Sequence, residues 1–370
     1  MKPAASIERL CASAYTIPTD TPEADGTYEW SETTLVLVEA DAGDHTGTGY
    51  TYASGAVAAF IADGLGKHVL GGDALSPRAN WDAMFRAARN NGRAGLASMA
   101  ISAVDCALWD LKARLLDLSV IELLGAVRDV VPVYGSGGFT SYSDEQLRAQ
   151  LSGWVSSGIA AVKMMIGSHP ECDVHRVRVA RGAIGDASLF VDANGAYDRK
   201  QGILMSHAFA EYGVRWFEEP VSSDDLDGLR LVRDRAPSEM EIAAGEYGYD
   251  QPYFRRMMEA GAVDVVQADA TRCGGVTGFL KAAEEIDSFG LPLSAHTAPS
   301  LHGHLCCVAP RARNVEYFHD HVRIESMLLD GALKAQNGVL KPDRGASGFG
   351  FLFKHRDGEK FRVYQGEVHA

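Results

Sequence analysis

Eight short apolar runs follow one another from Val130 onward, and helix-length amphipathic stretches separate most of them. The runs cover residues 131–135, 160–166, 188–194, 214–219, 241–246, 262–269, 291–296 and 314–318. Strands that alternate with helices in this way predict an α/β fold with a closed TIM-type barrel. An open doubly wound sheet is the alternative, but the sequence lacks the glycine fingerprint of a dinucleotide-binding sheet.

Residues 1–125 differ from this pattern and predict a separate α+β unit. Residues 33–39 are strand-like, whereas residues 18–32 are polar and acidic and are expected to form a mobile loop. In the helical region that follows, apolar residues recur at steps of three and four: Ile101, Val104, Leu108, Leu111 and Leu115. This spacing forms one apolar stripe, which places Asp105 and Asp110 mainly on other faces.

The last residues of the chain are expected to return to the N-terminal unit. Residues 345–351 and 360–363 are predicted to form a short β segment there. We therefore expect an N-terminal unit of residues 1–125, a barrel of residues 126–344 and a C-terminal segment of residues 345–370.

The overall composition excludes several classes of protein. The 370 residues are 46% hydrophobic and 23% charged, as in ordinary globular proteins, and the formal net charge of −14 argues against nucleic acid or an anionic membrane as partner. No apolar run is long enough to span a bilayer, and the N-terminal residues lack an apolar signal core. The six cysteines form no C-x-x-C pair, so we expect reduced thiols and a cytoplasmic protein.

Three consecutive predicted strands end in a carboxylate, at Asp192, Glu218 and Glu246. Neighbours on a strand point to opposite faces, so only one of Glu218 and Glu219 is expected to point inward. Three hard oxygen ligands from neighbouring strands suit a Mg²⁺ ion that keeps positions open for substrate oxygens. Solvated strand ends without a metal are the structural alternative.

Other polar side chains stand at the remaining strand ends, where barrel active sites form. Lys163 and Met165 share a face of the second strand, and Asn194 lies on the same face of the third strand as its terminal carboxylate. Glu316 is a further carboxylate, near the end of the eighth strand. A lysine in such an apolar run is unsuited to a packed core, although snorkelling at the strand end would also explain it.

A carboxylate and a histidine end two adjacent strands. Asp269 ends the sixth predicted strand and His296 ends the seventh. A neighbouring carboxylate can fix the tautomer of an imidazole and raise its basicity, so the pair predicts an acid/base dyad.

Together these pieces resemble the mandelate racemase branch of the enolase superfamily across nearly the whole chain. The matching segments are residues 107–112, 123–125, 191–194, 217–220, 245–246, 269, 274–278, 294–296 and 316. The resemblance implies a modified (β/α)₇β barrel with an α+β capping domain built from both chain ends. It implies Mg²⁺ on the three strand-end carboxylates, with Mn²⁺ as a substitute. It also implies His296–Asp269 as the acid/base dyad and Glu316 as a partner of the substrate carboxylate.

One departure from the family pattern bears on the reaction. The family usually carries Lys-x-Lys on the second strand, but here the second lysine is replaced by Met165, whose thioether cannot carry a proton. We therefore predict a single-base reaction in which a sugar acid is dehydrated to a 2-keto-3-deoxy acid. A racemase or epimerase of a 2-hydroxy acid is the alternative enzyme, and a ligand-binding barrel without activity is the alternative outside enzymes.

Several details stay open at the level of sequence. The general acid is His296 itself, Lys163 or His169, although His169 and His45 are expected to be solvated loop histidines. Substrate contacts are expected from Lys163, Asn194, Glu316 and Met165, with specificity from residues 16–31 and 50–55. We expect a small carboxylate substrate and a homo-oligomer.

Overall fold

The computed structural model describes residues 5–370, and the first two strands in that range form a long antiparallel hairpin. Strand β1 (Arg9–Ala24) pairs with β2 (Glu29–Ala42), which pairs with β3 (His45–Tyr52). The expectation of an irregular loop at residues 18–32 is wrong, because pairing resumes after a register shift and joins Glu23 to Trp30. Composition was misleading here, because strand preference depends on context and most side chains of this segment are at least partly exposed.

Four helices complete the N-terminal unit, and three short π or 3₁₀ turns connect them at Ile61–Leu65, Gly66–His68 and Ala88–Asn91. The helices are α1 (Ala56–Phe60), α2 (Pro77–Ala87), α3 (Leu96–Leu115) and α4 (Val120–Leu124). Helix α3 confirms the predicted apolar stripe. Both acidic residues on its other faces are buried too, because each accepts backbone N–H groups. Asp105 Oδ2 accepts from Thr277 N, and Asp110 accepts from Thr48 N and Phe349 N.

The barrel confirms the predicted fold class, since each of the eight predicted strands is present and all run parallel. They are β4 (Val131–Gly137), β5 (Ala161–Met165), β6 (Ser188–Asp192), β7 (Val214–Glu218), β8 (Glu241–Ala244), β9 (Val265–Ala268), β10 (Leu293–Ala295) and β11 (Ala312–Phe318). Strand β11 pairs with β4 and so closes the barrel.

The helices that follow these strands are α5 (Asp144–Ser156), α6 (Pro170–Ile184), α7 (Arg199–Ala210), α8 (Leu226–Arg235), α9 (Gln251–Glu259), α10 (Gly275–Ser288), α11 (Pro299–Val308) and α12 (His319–Leu328). None of the helices in residues 5–370 has the length and apolar character needed to cross a membrane.

The C-terminal residues add short pairings and then a strand in the N-terminal sheet. They form β12 (Leu329–Asp330), β13 (Val339–Leu340), β14 (Leu352–Phe353), α13 (His355–Gly358), a 3₁₀ turn at Glu359–Phe361, and β15 (Arg362–His369). Strand β15 pairs with β1, which gives the sheet order β15-β1-β2-β3. The prediction of a strand at residues 345–351 is wrong, because Gly348 and Gly350 adopt φ values of +69° and +75°. The proposed domain boundaries remain predictions.

Aromatic residues fill the barrel beneath its polar mouth. Tyr134, Phe190 and Trp216 come from three different strands and pack together with small residues of two others. The rings of Phe190 and Trp216 are stacked with centroids 5.0 Å apart. This dry floor places the strand-end side chains in a low-dielectric environment, where their charges interact strongly.

The tip of the first hairpin, formed by β1 and β2, is fastened to the barrel mouth. A Cβ atom on Gly26 would lie 2.3 Å from the Ala193 carbonyl oxygen and 2.6 Å from that of Ile166, so only glycine allows this approach. Thr140 Oγ1 donates to the Asp25 carbonyl oxygen at 2.8 Å. The hairpin therefore forms one wall of the space above the strand ends.

Candidate active site

The three predicted carboxylates converge at the C-terminal mouth of the barrel. Asp192 ends β6, Glu218 ends β7, and Glu246 lies just beyond β8. One oxygen of each lies within 4.8 Å of those of the other two, and all three residues are buried. Gly245 permits the turn after β8, because at φ +138° an added Cβ would lie 2.2 Å from the Gln267 carbonyl oxygen. Three neighbouring strands thus present three oxygen donors to one point.

Lys163 extends from β5 into the same group of carboxylates. Its Nζ lies 2.9 Å from Asp192 Oδ2, 2.6 Å from Glu218 Oε1 and 2.8 Å from Glu316 Oε1. Burial alone would lower the pKa of Lys163, but the three carboxylates outweigh burial and raise it well above its ordinary value. The lysine is therefore a fixed positive charge, and the alternative of a snorkelling side chain does not describe it.

Negative charge at this point exceeds what the protein balances. Burial raises the pKa of Asp192 to about 6 against the opposing charge of Lys163. Burial and the charge of Asp192 also raise the pKa of Glu218 well above its ordinary value. Such shifts report carboxylates that lack sufficient positive charge nearby. A donor set made only of oxygens, with negative charge in excess, fits a hard divalent cation such as Mg²⁺.

His296 and Asp269 form the predicted pair. His296 Nδ1 lies 2.8 Å from Asp269 Oδ2, while His296 Nε2 lies 3.3 Å from Glu246 Oε2 and 3.7 Å from Glu316 Oε2. Burial opposes ionisation of Asp269, but its hydrogen bond to His296 and the charge of that histidine outweigh burial and lower its pKa. An ionised Asp269 accepts the Nδ1–H of the imidazole, which leaves Nε2 available as a proton acceptor.

The predicted substrate contacts lie around these groups. Glu316 Oε1 accepts from Ser136 Oγ at 2.6 Å, while Glu316 Oε2 is buried without a hydrogen-bond partner. The side-chain oxygen of Asn194 is likewise buried and unpaired, and its backbone N–H donates to Asp192 Oδ1. Met165 is only 4% exposed and also lines the cavity. Glu316, Asn194 and Met165 thus all line the cavity and could contact a ligand bound there.

The two histidines that we expected in solvated loops lie away from the strand ends. His169 precedes α6, and its side chain is 71% exposed. His45 is an exposed residue at the start of β3. Neither lines the cavity that contains His296.

Arg272 is a half-buried residue that the sequence interpretation missed. Its Nη1 lies 3.2 Å from Glu246 Oε1, and its Nε lies 3.7 Å from Asp269 Oδ2. It therefore connects a carboxylate of the converging group with the carboxylate of the histidine pair. The sequence could have indicated Arg272, because it follows Asp269 by three residues and a loop that leaves a strand end stays near the mouth of the barrel.

The adjacent glutamates have different surroundings but are both buried. Glu218 contacts Lys163, and its Oε2 accepts from Trp216 Nε1 at 3.0 Å. Glu219 has a φ of +37°, so the chain leaves the strand there and the alternation of faces ends. Burial and the charge of Glu246 raise the pKa of Glu219 well above its ordinary value. Trp216 could have been found from sequence, because it lies two residues before Glu218 on the same strand face.

The space above the strand ends is a cavity of about 350 Å³. Its barrel side is formed by strand-end residues, and its other side comes from the hairpin and the end of β3. The residues on that other side are Asp25, Tyr28, Trp30, Glu32, Thr33, Thr34, Tyr52, Ala53 and Ser54. Most of them fall within the two segments predicted to carry specificity.

A second group of ligand-type side chains lies outside this cavity, where the hairpin meets the start of α12. It consists of Asp20, Glu23 and His319. Asp20 Oδ2 is already paired with His319 Nε2 at 2.9 Å, and Asp20 is exposed. This group lacks the buried, all-oxygen character of the group at the barrel mouth.

Sequence comparison covers both units of the chain. Residues 15–125 match the N-terminal domain of mandelate racemase/muconate lactonizing enzymes, and residues 146–357 match the enolase C-terminal domain-like family. The chain belongs to the mandelate racemase/muconate lactonizing enzyme family of the enolase superfamily. The resemblance noted from the sequence is thereby confirmed.

Individual members of the family are similar over most of their length. A 3,6-anhydro-alpha-L-galactonate cycloisomerase of Streptomyces coelicolor is 32% identical over 92% of this chain and 96% of its own. An arabinonate dehydratase of Saccharolobus solfataricus is 32% identical over 73% and 74% of the two chains.

Solved structures agree with these relatives. A mandelate racemase/muconate lactonizing enzyme-like protein from Rubrobacter xylanophilus is 49% identical, with a TM-score of 0.95 over 97% of this chain and 100% of that one. The L-talarate/galactarate dehydratase of Salmonella typhimurium, liganded with Mg and L-lyxarohydroxamate, is 28% identical, with a TM-score of 0.90 over 99% and 95%.

These findings confirm that this family member is an enzyme of the lyase type, and a racemase of the same superfamily is also compatible with them. The Mg in the related structure and the oxygen donors at the barrel mouth both support Mg²⁺ as the metal. Replacement of Mg²⁺ by Mn²⁺ remains a prediction.

Proposed function

We propose that this enzyme dehydrates a sugar acid to a 2-keto-3-deoxy acid, with His296 as its single base. The observation that carries the proposal is the contrast between the two sides of the cavity floor. On one side His296 is held by Asp269 at 2.8 Å, and on the other β5 presents the thioether of Met165. Only the first of these can accept a proton.

The difficult step is removal of a proton from the carbon next to a carboxylate. The enediolate that forms carries two negative charges on the two carboxylate oxygens. Asp192, Glu218 and Glu246 would hold a divalent cation, which would supply positive charge that favours the enediolate over the substrate. Lys163 adds a second fixed positive charge at the same place, and Glu316 positions the substrate carboxylate. These groups are set before the reaction, which is the condition for strong electrostatic catalysis.

One histidine can both remove the α-proton and protonate the leaving hydroxyl group. His296 Nε2 takes the proton from the α-carbon, and Asp269 stabilises the imidazolium that forms. The imidazolium then gives that proton to the β-hydroxyl, so the β-carbon–oxygen bond breaks and water leaves. The resulting enol becomes the 2-keto acid, and His296 is neutral again. Lys163 and His169 are less suited as the acid, because Lys163 is surrounded by carboxylates and His169 is exposed.

The surroundings of Met165 argue against a racemase with a second base at that position. Met165 packs in an apolar cluster with Phe139 and Tyr142, against which Trp30 and Phe318 also pack. A methionine packed in this cluster supplies no second base on this side of the cavity. A ligand-binding barrel without activity is disfavoured by the complete set of oxygen donors, lysine and histidine pair.

The test is a screen of sugar acids for 2-keto-3-deoxy product with fully Mg²⁺-loaded enzyme. We expect product from at least one acid and loss of it when the metal is chelated. Recovered substrate with inverted configuration and solvent deuterium, without keto acid, would instead identify an epimerase. Absence of both product and α-proton exchange across a broad set would refute the proposal. The cytoplasmic location and the homo-oligomer remain predictions.

A further inference from the structure

Fixed positive charge in the cavity is confined to the barrel side. Among the described residues that line it, Lys163 and Arg272 are the lysine and arginine present; Lys163 lies on β5, and Arg272 lies in the loop after β9. The hairpin side instead contributes Asp25 and Glu32, together with aromatic and hydroxyl side chains. The two ends of a bound substrate would therefore meet opposite electrostatic surroundings.

Neither positive side chain is free to bind a second anionic group. Lys163 lies within 2.9 Å of carboxylate oxygens of Asp192, Glu218 and Glu316. Arg272 is engaged by Glu246 at 3.2 Å and lies 3.7 Å from an oxygen of Asp269. Both charges are thus committed to the end of the cavity where the reacting carboxylate would bind.

The carboxylates on the hairpin side are poor hosts for another carboxylate. Asp25 accepts hydrogen bonds from the backbone N–H groups of Thr27 and Tyr28, so its side chain is fixed at the hairpin tip. Asp25 and Glu32 both line the cavity, and among the described residues no lysine or arginine lines it on the hairpin side. A carboxylate near another carboxylate without a counter-ion is disfavoured by repulsion and by lost hydration.

An apolar surface lies on the Met165 side of the cavity. Met165 packs with Phe139, and the ring of Trp30 meets Phe139 edge-on with centroids 5.6 Å apart. Trp30 and Met165 both line the cavity. Such a wall suits the C–H face of a carbon chain or a ring.

We propose that the cavity selects acid sugars with one carboxylate and an uncharged distal end, and rejects diacids with a carboxylate at both ends. This inference rests on the proposed function, since it names the substrate class of the same site. Rejection arises from the missing distal cation and from the two hairpin carboxylates, which is discrimination by an unfavourable contact.

The experiment compares matched pairs of acids that differ only at the distal carbon, such as D-gluconate with D-glucarate and D-galactonate with galactarate. The measured quantity is kcat/KM of the Mg²⁺-loaded enzyme for each member. In every active pair we expect the monoacid to be favoured by about tenfold or more, as for a lost charge pairing. A diacid that is turned over as well as its matched monoacid would overturn the inference while leaving the proposed dehydration intact.

A pair of variants tests the cause of the selectivity. Glu32→Arg places a cation on the hairpin side of the cavity, so the ratio of monoacid to diacid kcat/KM should fall by about tenfold. Glu29→Arg changes the charge of the same hairpin equally, but Glu29 does not line this cavity, and the ratio should stay near that of the wild type. Equal ratios in the two variants would contradict the electrostatic explanation.

If no acid is turned over, that result counts against the proposed function but does not test the selection of substrates. Binding then tests the selection. The affinities of the same pairs are then measured by calorimetry with Mg²⁺-loaded protein. Tighter binding of the monoacid supports the selection of substrates with one carboxylate. Equal or tighter binding of the diacid, or no binding of either, overturns it.

Discussion

The two sides of the cavity are built in different ways. The barrel side presents charged side chains, most of them buried, on or just beyond strands whose register is fixed by neighbours on both sides. The hairpin side presents partly exposed aromatic, hydroxyl and carboxylate side chains on two strands that pair only with each other near the tip. Residues of the barrel side are held rigidly, whereas the position of the hairpin depends on a few contacts with the barrel.

This difference divides the expected effects of substitution. Changes on the barrel side should act on the metal and on proton transfer, because those groups are preorganised toward the reacting atoms. Changes on the hairpin side should act on the choice and affinity of substrate, because its contacts reach the distal part of a ligand. Substitutions on the two sides test that division, and the largest loss of activity is expected on the barrel side.

Glu218→Gln should lower activity by about 10³-fold or more, since it removes one charge from the three converging oxygens while keeping the shape of the side chain. Metal affinity, measured by titration calorimetry, should fall with it, and circular dichroism should show a retained fold. Glu219→Gln is the matched control in the adjacent position. A larger loss of metal affinity in the Glu219 variant would mean that the neighbouring carboxylate is the ligand.

Asp269→Asn should lower kcat by about 10²- to 10⁴-fold, because the amide no longer fixes the tautomer of His296 or stabilises its imidazolium. Metal content should stay near one ion per chain, since Asp269 is not among the three converging oxygens. Steady-state kinetics and metal analysis of the same preparation check both points. Activity near that of the wild type would remove Asp269 from the acid/base pair.

Gly26→Ala should raise KM by about tenfold with a smaller change in kcat, because a methyl group at the hairpin tip would collide with two barrel carbonyl oxygens and lift the hairpin. Gly153→Ala, at a helix position with no atom within 4 Å of the added carbon, is the control and should leave both constants unchanged. A loss confined to kcat in Gly26→Ala would place the hairpin in the chemical step and break the division.

Glu23, near the tip of the hairpin, should make stability depend on pH. Burial and the charge of Asp320 raise its pKa from 4.5 to about 9, and its neighbours also include Asp20 and Arg323. The folded state therefore holds the proton more tightly than the unfolded state. Its stabilising contribution is complete below pH 4.5 and is lost as the pH rises through about 9.

The Glu23→Gln variant measures this contribution. Between pH 5 and pH 9 the wild type should lose about 1–3 kcal/mol of unfolding free energy relative to the variant, the usual effect of one buried polar group left unpaired. Denaturant titrations at several pH values give the comparison. Parallel pH profiles for the two proteins would show that Glu23 does not titrate in this range.

The two sides of the cavity also differ in how well they could be predicted from the sequence. The convergence of Asp192, Glu218, Glu246, Asp269 and His296 could be predicted, because strand alternation and regular spacing place strand ends at one mouth. Their roles remain predictions. The hairpin was misassigned as a loop, since its position depends on contacts of Gly26 and Trp30 with distant parts of the chain, Gly26 against two barrel carbonyl oxygens and Trp30 edge-on against Phe139. Burial of Asp105 and Asp110 was also beyond sequence periodicity, because the backbone N–H groups that they accept come from other elements.

The central claim is that His296 is the only base that removes the α-proton. The direct measurement is solvent deuterium incorporation at the α-carbon of an active sugar acid, followed by NMR with wild-type and His296→Asn enzyme loaded with Mg²⁺. The account predicts that the variant shows neither exchange nor keto acid, because an amide cannot accept the proton at neutral pH. Exchange by His296→Asn at a rate near that of the wild type would contradict the account and assign the base to Lys163 or to a residue of the hairpin side.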